Sequence, residues 1–381
     1  MSIVNYLIFY LILLNIFNSL GFYVKWLWNF NMKIITKLSI LFFLISAALY
    51  GQWALWGNPS LPGGNSNKGL GANKGELFYS LIQSNQHIDW WHDPVPGEDF
   101  VHKGNLITSV LRPGIIYGLD DKINLSISTI LGIRTMGFKG DNISAHHRNE
   151  NSATDFDNAN GGILGDSRFT LNYLLKNTGV GDGYRVILGG GITIPSKNIL
   201  IKSPFIKINN THEPHRHFSM SKGTYNTISE IQIYYKQSAN PVFIGGNISH
   251  EKPIAENEYY YTPQTSLKSV FSVIYKRFDK LDGSLDLSFG IESLSKEYWN
   301  GVPSPNSSAL ILTPSVGYLF STKKGAIGIN IQRPIFLEGS FSAYAGDMDQ
   351  GTSVWQIVLS FRSMASDRKS TRLNSSHSSV S

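Results

Sequence analysis

The chain has 381 residues, a formal net charge of +6 and no cysteine, and only 16% of its residues are charged. The lack of cysteine excludes a disulfide framework, thiol catalysis and thiolate metal sites. The positive charge is concentrated at the two ends, because residues 1–51 contain three lysines and no acid and residues 366–381 carry a net charge of +2. The remaining +1 gives no electrostatic footprint for DNA or RNA, so no nucleic-acid partner is expected.

A secretory signal peptide is the first predicted element and covers residues 32–51. Lys33 and Lys37 form a positively charged start, an apolar stretch follows, and small residues lead to a predicted cleavage after Gly51. Residues 1–31 are also apolar, and a membrane anchor is one interpretation of them. We favour a start codon assigned too early, because the signal is complete from Met32 onwards. Residues 52–73 form a Gly- and Asn-rich segment ahead of the folded body.

The body of the chain, residues 74–363, alternates apolar and polar residues with the period of a β-strand. The alternation is most regular over residues 123–128, 169–173, 285–292 and 327–332. No helical period persists, and no apolar run in this region is long enough for a spanning helix. The pattern therefore predicts strands that each have one apolar face and one polar face.

Connection lengths decide between a soluble β-sandwich and a membrane barrel. Short turn signals lie at residues 118–121, 178–183, 238–241, 279–283 and 321–325. They alternate with long polar segments at 86–103, 135–164, 196–222, 252–265, 295–307 and 337–350. Alternate short and long connections are typical of outer-membrane barrels, and in lipid only a closed barrel satisfies the backbone. We predict an all-β fold, a transmembrane antiparallel up-and-down barrel of about twelve strands with both termini periplasmic, in a Gram-negative outer membrane.

Polar side chains on the alternating strands are predicted to face a hydrated lumen. The candidates for lining a permeation path are Glu230, Gln232, Asp286, Glu292, Asn330 and Gln332.

The last predicted strand, residues 353–362, places Trp355 and Phe361 on one apolar face. An alternating final strand with a terminal aromatic resembles the assembly signal of outer-membrane proteins, which makes the barrel-assembly machinery an expected partner. The alternative is an ordinary edge strand. Residues 364–381 lack an apolar period and resemble translated adaptor or vector sequence, so they are left out of the fold prediction.

Three histidines, His212, His215 and His217, lie within six residues of a predicted outer loop. Imidazole nitrogens at this spacing suit Zn²⁺ or Cu²⁺, so a divalent metal is the only cofactor considered. The alternative is a polar surface loop. His146–His147 forms a weaker candidate. The stretch of residues 90–93, which begins with Trp90–Trp91, is predicted to belong to an interfacial aromatic belt or to pack a loop, and the alternative is a plug that stacks on a ligand.

Within the predicted barrel, Ser249 and His250 form the only adjacent serine–histidine pair, which would suggest a barrel hydrolase. Adjacent strand residues face opposite ways and cannot act together as nucleophile and base. No catalytic residue is therefore assigned, and no enzymatic activity is expected.

Two stretches, residues 165–173 and 184–196, resemble a hairpin of the meta-pathway phenol-degradation-like outer-membrane family. The matching positions are Gly165, Asp166, Tyr173, Gly190 and Pro195. Residues 117–125, 300–303, 312–318 and 332–334 resemble other turns of that family. The sequence departs from the family pattern in residues 194–196, which replace Pro-Thr-Gly, and at Leu164, which replaces a glycine. The resemblance implies a barrel associated with transport of small, often aromatic or apolar, molecules.

The motif also has a direct physical interpretation. Gly165 is expected to adopt unusual backbone angles and Asp166 to bond neighbouring amides. Residues 189–191 are three glycines, which mark a bend or a close backbone approach.

Three functions remain open from the sequence. The favoured one is a passive channel or facilitator for small aromatic or hydrophobic molecules, with outer-membrane lipid and the solute as partners. The alternatives are a closed structural or metal-binding barrel and, third, a barrel hydrolase. An open lumen, a packed lumen and a Ser/His pair brought together by the fold would distinguish them.

Overall fold

The computed structural model describes residues 72–94, 98–139, 148–178, 181–205, 215–276, 283–305, 307–322, 325–339, 342 and 349–365. The chain divides into residues 1–51 and 52–381, and every described residue belongs to the second unit. The predicted signal peptide, the segment before it and the tail after residue 365 lie outside the described residues.

Twelve long antiparallel strands, numbered here in chain order, form a closed barrel. They are β1 (Leu77–His92), β2 (His102–Gly118), β3 (Ile123–Phe138), β4 (Leu164–Asn177), β5 (Gly183–Ile194), β6 (Asn226–Lys236), β7 (Phe243–Pro253), β8 (Ser266–Lys276), β9 (Gly283–Leu294), β10 (Ala309–Thr322), β11 (Gly325–Gln332) and β12 (Gln350–Met364). Each strand pairs with the next, and β12 pairs with β1 to close the ring. The all-β barrel predicted from the sequence is confirmed. No helix among the described residues is long and apolar enough to cross a membrane.

Short strands form within the loops. Glu150–Asn151 pairs with β3, and Ile335–Glu338 pairs with β10. Tyr261–Thr262, Tyr298–Trp299 and Val302–Pro303 form a separate three-stranded sheet, which joins the β7–β8 loop to the β9–β10 loop.

Connections alternate in length as the sequence predicts. The short ones, residues 119–122, 178–182, 237–242, 277–282 and 323–324, join strands at one end of the barrel, the short-turn end. The long ones, residues 93–101, 139–163, 195–225, 254–265, 295–308 and 333–349, join strands at the other, the loop end. Strand β1 begins and β12 ends at the short-turn end.

The prediction of a loop over residues 86–103 is wrong for residues 86–92, because β1 continues to His92 and pairs there with the start of β2. Two of the three outward positions of this extension are polar, namely His87 and Asp89. A strand that continues beyond the lipid meets water on its outer face, so its outward side chains need not be apolar. Hydropathy alone does not separate such an extension from a loop.

The side-chain distribution is the inverse of that in a soluble barrel. The outer face exposes large apolar side chains on successive strands, among them Leu171, Ile233, Phe271, Val316 and Ile331. The inner face holds buried polar side chains, including Ser84, Gln86, Asn124, Ser272 and Gln356. Exposed apolar area on this scale is stable against lipid rather than against water, so the barrel spans a membrane.

Candidate functional site

All six predicted lumen residues lie on inward-facing positions of their strands. Glu230 and Gln232 are on β6, where the side-chain amide of Gln232 donates to Oε1 of Glu230 at 2.8 Å. Glu292 on β9 accepts a 2.9 Å hydrogen bond from the hydroxyl of Ser266. Three further residues are buried within the barrel, namely Asp286, Asn330 and Gln332. The role of these six side chains in permeation stays a prediction.

An apolar cluster interrupts the polar lumen near the loop end. Its members are Ile88, Trp90, Leu106, Met136, Phe218 and Val354, with Phe138 and Phe336 packed against them. Phe336 also contacts a smaller group formed by Leu294, Ala309 and Ile311. Five cluster members come from strands, whereas Phe218 comes from the loop between β5 and β6. Part of that loop therefore folds back into the barrel.

The two tryptophans at the end of β1 face opposite sides. Trp90 points inward and is 8% exposed, whereas Trp91 points outward and is 44% exposed. The predicted interfacial belt is therefore wrong for Trp90, which lines the lumen, whereas the predicted loop packing agrees with its place in one cluster with Phe218 of the β5–β6 loop. Alternation along a strand separates neighbouring side chains whatever their chemistry.

Gly104 makes room for the ring of Trp90. A Cβ atom at Gly104 would overlap both that ring and the carbonyl oxygen of Gly137. We expect Gly104→Ala to lower stability by about 1–3 kcal/mol, since overpacking forces side-chain and backbone shifts. The thermal midpoint of the heat-modifiable gel shift measures this. Gly190→Ala is the matched control, because a Cβ atom at Gly190 would meet only the carbonyl oxygen of Ile228, at an ordinary van der Waals distance of 3.9 Å. Equal losses of stability in both variants would contradict the role of Gly104.

Residues 215–222, the inserted segment, carry Phe218 into the lumen and are anchored by Arg216. This side chain is fully buried, and its guanidinium donates to the carbonyl oxygens of Asn151 at 2.9 Å, Asn160 at 2.6 Å, and Thr154. Its backbone N–H donates to Oδ1 of Asn158 at 2.7 Å, and the amide of Asn158 returns a 2.7 Å bond to the Arg216 carbonyl. These contacts attach the β5–β6 loop to the β3–β4 loop.

His217 adds a second anchor, because its Nδ1 lies 2.7 Å from Oε1 of Glu150 and its backbone N–H donates to Oε2 at 3.0 Å. The ring of His215 lies edge-on to the ring of His217, with 4.7 Å between centroids. His212 and His146–His147 lie outside the described residues. Within the part of the chain that the structure describes, no three His, Asp or Glu side chains are placed to hold a metal. The metal site stays a prediction.

The motif residues Gly165 and Asp166 receive the inserted segment. A Cβ atom at Gly165 would lie 2.6 Å from the carbonyl oxygen of Met220, so glycine is needed for a close approach. The expected unusual backbone angle is wrong, since Gly165 is not among the positive-φ glycines. Asp166 accepts a 3.2 Å bond from the backbone N–H of Lys222, in a different loop, rather than from a neighbouring amide. Both corrections arise because the contacting loop is distant in sequence.

The remaining motif residues serve the wall of the barrel. Tyr173 points outward and is exposed, and Pro195 directly follows the last residue of β5. Among the three glycines, Gly191 is the one in close contact with backbone, because a Cβ there would overlap the carbonyl oxygen of Phe169, whereas a Cβ at Gly189 would meet the side chain of Asn172. The expected close backbone approach is therefore present one residue after Gly190.

A cavity of about 110 Å³ lies inside the barrel beside the inserted segment. Its lining includes four basic and three acidic side chains, namely Arg112, Arg134, Arg168, Lys222, Asp166, Glu251 and Glu292. None of the four basic members was predicted from the sequence as a site residue. Their inward positions follow from strand alternation, so marking charged residues on the predicted polar faces would have found the arginines. Lys222 lies in a loop, and no periodicity places it.

The Ser249–His250 pair is separated by the wall of the barrel. Ser249 is opposite Glu230 on the inward face of β7, and the next residue, His250, points to the other side. The pair therefore does not form a nucleophile and base, as strand alternation predicts.

The two aromatic residues of β12 lie on its outward face. Trp355 is 53% exposed, and the guanidinium of Arg333 lies 4.7 Å from its ring centroid. Phe361 is also exposed on that face. Recognition of this strand during assembly stays a prediction.

Glu297 is a buried carboxyl group in the loop between β9 and β10. It accepts a 2.7 Å hydrogen bond from the hydroxyl of Tyr261, whose ring packs at 4.6 Å on Trp299. Burial raises the pKa of Glu297 to about 7, although the bond from Tyr261 acts in the opposite direction. The small sheet that joins the two loops is therefore built around a carboxyl group that favours its protonated form.

We expect this small sheet to lose stability between pH 4.5 and about pH 7. Below pH 4.5 the carboxyl of Glu297 is protonated in the folded and the unfolded loop alike, so it has no differential effect. Above that pH the unfolded loop releases the proton first, at a final cost of roughly 3 kcal/mol to the folded one. Hydrogen exchange over residues 295–308, corrected for intrinsic rates, should accelerate across this range.

Glu297→Gln should remove that pH dependence, because the amide does not titrate, whereas the exposed Glu256→Gln should retain it. Identical pH profiles for the wild type and Glu297→Gln would show that another group is responsible.

No protein-family model matches the chain, and no curated protein matches it by sequence. Among solved structures, the COG4313 outer membrane channel from Pseudomonas putida F1 is similar with a TM-score of 0.51 and 13% identity, over 80% of this chain and 100% of that one. The P. putida toluene transporter TodX aligns with a TM-score of 0.36 and 11% identity, over 78% of this chain and 92% of that one. Only the first of these two TM-scores exceeds 0.5, so only that likeness is informative. At 13% identity it shows a shared barrel fold alone.

Proposed function

We propose that the chain is an outer-membrane channel through which small apolar molecules, including aromatic ones, cross passively. The observation that carries the proposal is the apolar cluster around Trp90 and Phe218 inside a lumen that also holds many buried polar side chains. A water-filled pore offers an apolar solute no favourable contact, whereas apolar side chains with a few polar neighbours form a binding site. The aromatic rings add stacking partners for aromatic solutes.

Two further observations support the proposal. The fold is shared with an outer membrane channel, and the exposed apolar outer face is suited to contact with lipid. The resemblance of residues 165–196 to the phenol-degradation-like family supports the class of solute in the proposal, namely small aromatic or apolar molecules. The same proposal places the chain in the outer membrane after removal of its signal peptide, with assembly through the β12 face of Trp355 and Phe361.

Single-channel recording tests the proposal. The protein, purified from the outer membrane of an expressing host, is inserted into planar bilayers, and benzyl alcohol is added as a neutral aromatic probe. We expect discrete conductance steps that the probe reduces saturably. Trp90→Ala combined with Phe218→Ala should remove that reduction, because the apolar contacts are lost. Gln83→Ala, on the outward face of β1, is the control and should respond like the wild type.

A folded, heat-modifiable barrel with no conductance would instead favour the second candidate, a closed structural or metal-binding barrel. The observation that favours a closed barrel is the burial of Phe218 in the lumen. In that case titration with Zn²⁺ of the wild type and of His215→Ala would test the loop histidines as metal ligands.

A further inference from the structure

The acidic side chains of the internal cavity are already engaged. Glu251 lies 2.8 Å from Nζ of Lys222, and Asp166 accepts the backbone N–H of Lys222. Glu292 accepts the hydroxyl of Ser266 and lies 4.0 Å from Nζ of Lys268. The carboxylates therefore have partners within the wall and the inserted segment.

The two arginines Arg112 and Arg168 differ from these groups. Both are half-buried, and neither side chain makes a hydrogen bond or ion pair with another residue that the structure describes. Each acts electrostatically on the other, and both act on Glu251 without reaching ion-pair distance. Two guanidinium groups that repel each other and face the same cavity favour an anion between them.

Strand register brings the two arginines to neighbouring levels of the lumen. Arg168 on β4 is directly opposite Ser128 on β3, and Ser128 is opposite Gly114, two residues from Arg112 on β2. The two positions are thus separated by two strand spacings and by two residues along the strand, roughly 12 Å in all, which two arginine side chains can bridge through one anion.

Apolar side chains also line the cavity. Val110, Met220 and Leu294 line it, and Leu294 belongs to the small apolar group that Phe336 connects to the apolar cluster. Arg134 marks the junction, because its Nε donates to Thr108 and its guanidinium lies 5.7 Å from the ring centroid of Phe218. The basic cavity and the apolar cluster are therefore adjacent.

We propose that this cavity binds small apolar carboxylic acids in their anionic form, with Arg112 and Arg168 holding the carboxylate and the apolar wall contacting the hydrocarbon part. The lining holds four basic and three acidic side chains, so a monoanion would balance its charge. A planar guanidinium matches a carboxylate with two parallel hydrogen bonds, which gives geometric selection as well as affinity. The inference rests on the proposed channel function and names a class of solute for it.

Calorimetry on the detergent-solubilised full-length protein tests the site with three probes: benzoate, benzyl alcohol and acetate. Benzoate carries both charge and ring, benzyl alcohol lacks the charge, and acetate lacks the ring. We expect benzoate to bind at least about tenfold more tightly than either, since benzyl alcohol lacks the charge-assisted bond and acetate lacks the apolar contact of the ring, and each corresponds to a factor of about that size. Equal affinities for benzoate and benzyl alcohol would overturn the proposal.

Arg112→Gln combined with Arg168→Gln should abolish the preference for benzoate and leave benzyl alcohol unchanged. Arg112→Lys combined with Arg168→Lys should keep part of it, because the charge remains and the forked geometry is lost. Lys252→Gln is the matched control, since it removes one charge beside Glu251 but on the outward face of β7. Retention of the full preference in the glutamine variant, with its heat-modifiable fold intact, would overturn the assignment.

Failure of this inference is distinguishable from failure of the channel function. If benzyl alcohol reduces the conductance but benzoate binds no more tightly than benzyl alcohol, the channel function is retained and the carboxylate site is overturned. A protein without conductance that binds benzoate through the two arginines keeps the site and loses the channel function.

Discussion

Arg216→Ala is expected to raise the ion conductance several-fold and to abolish its reduction by benzyl alcohol. The substitution leaves the carbonyl oxygens of Asn151, Asn160 and Thr154 without their donor. Each unsatisfied buried group costs about 1–3 kcal/mol, which is large for a loop segment. The inserted segment would then leave the lumen and take Phe218 with it, so the apolar cluster would lose its loop-derived member.

Lys197→Ala is the control for this prediction, because Lys197 is exposed in the same loop. It should conduct like the wild type. Hydrogen exchange over residues 215–222 supplies an independent readout and should rise only in the Arg216 variant. A conductance that stays unchanged while exchange rises would mean that the inserted segment does not narrow the path.

Val316→Lys is expected to destabilise the barrel by about 2–4 kcal/mol in lipid vesicles, the cost of a lysine near the bilayer midplane. Val316 is central in β10, points outward and is 54% exposed. In a soluble barrel the same change would replace an exposed apolar residue by a favourable charge. Urea titration in vesicles, followed by the heat-modifiable gel shift, measures the difference.

Ser315→Lys is the matched variant, one residue away on the inward face. We expect this variant to lose less stability, about 1 kcal/mol, because the substitution breaks the 2.6 Å hydroxyl contact with Ser288 but leaves the charge in a polar lumen. Equal losses at the two positions would argue against lipid on the outer face.

Period-two patterning was sufficient for the wall of the barrel. It placed residues such as Asp286 and Gln332 inward and Trp355 and Phe361 outward, because strand geometry fixes the side to which each side chain points. It was insufficient at the loop end, where β1 extends through residues assigned to a loop. There the outward face meets water, and the hydropathy contrast that marks a lipid-facing strand disappears.

The sequence by itself determined the antiparallel barrel, its twelve strands and the ends at which short and long connections lie. These are properties of local periodicity and turn chemistry, which act over a few residues. Only the tertiary structure decided that the β5–β6 loop folds inward, that Gly165 and Asp166 receive it, and that Arg112 and Arg168 share a cavity with Lys222. Those contacts join residues more than 50 positions apart, such as Asp166 and Lys222, and no local pattern encodes which distant partner a side chain meets.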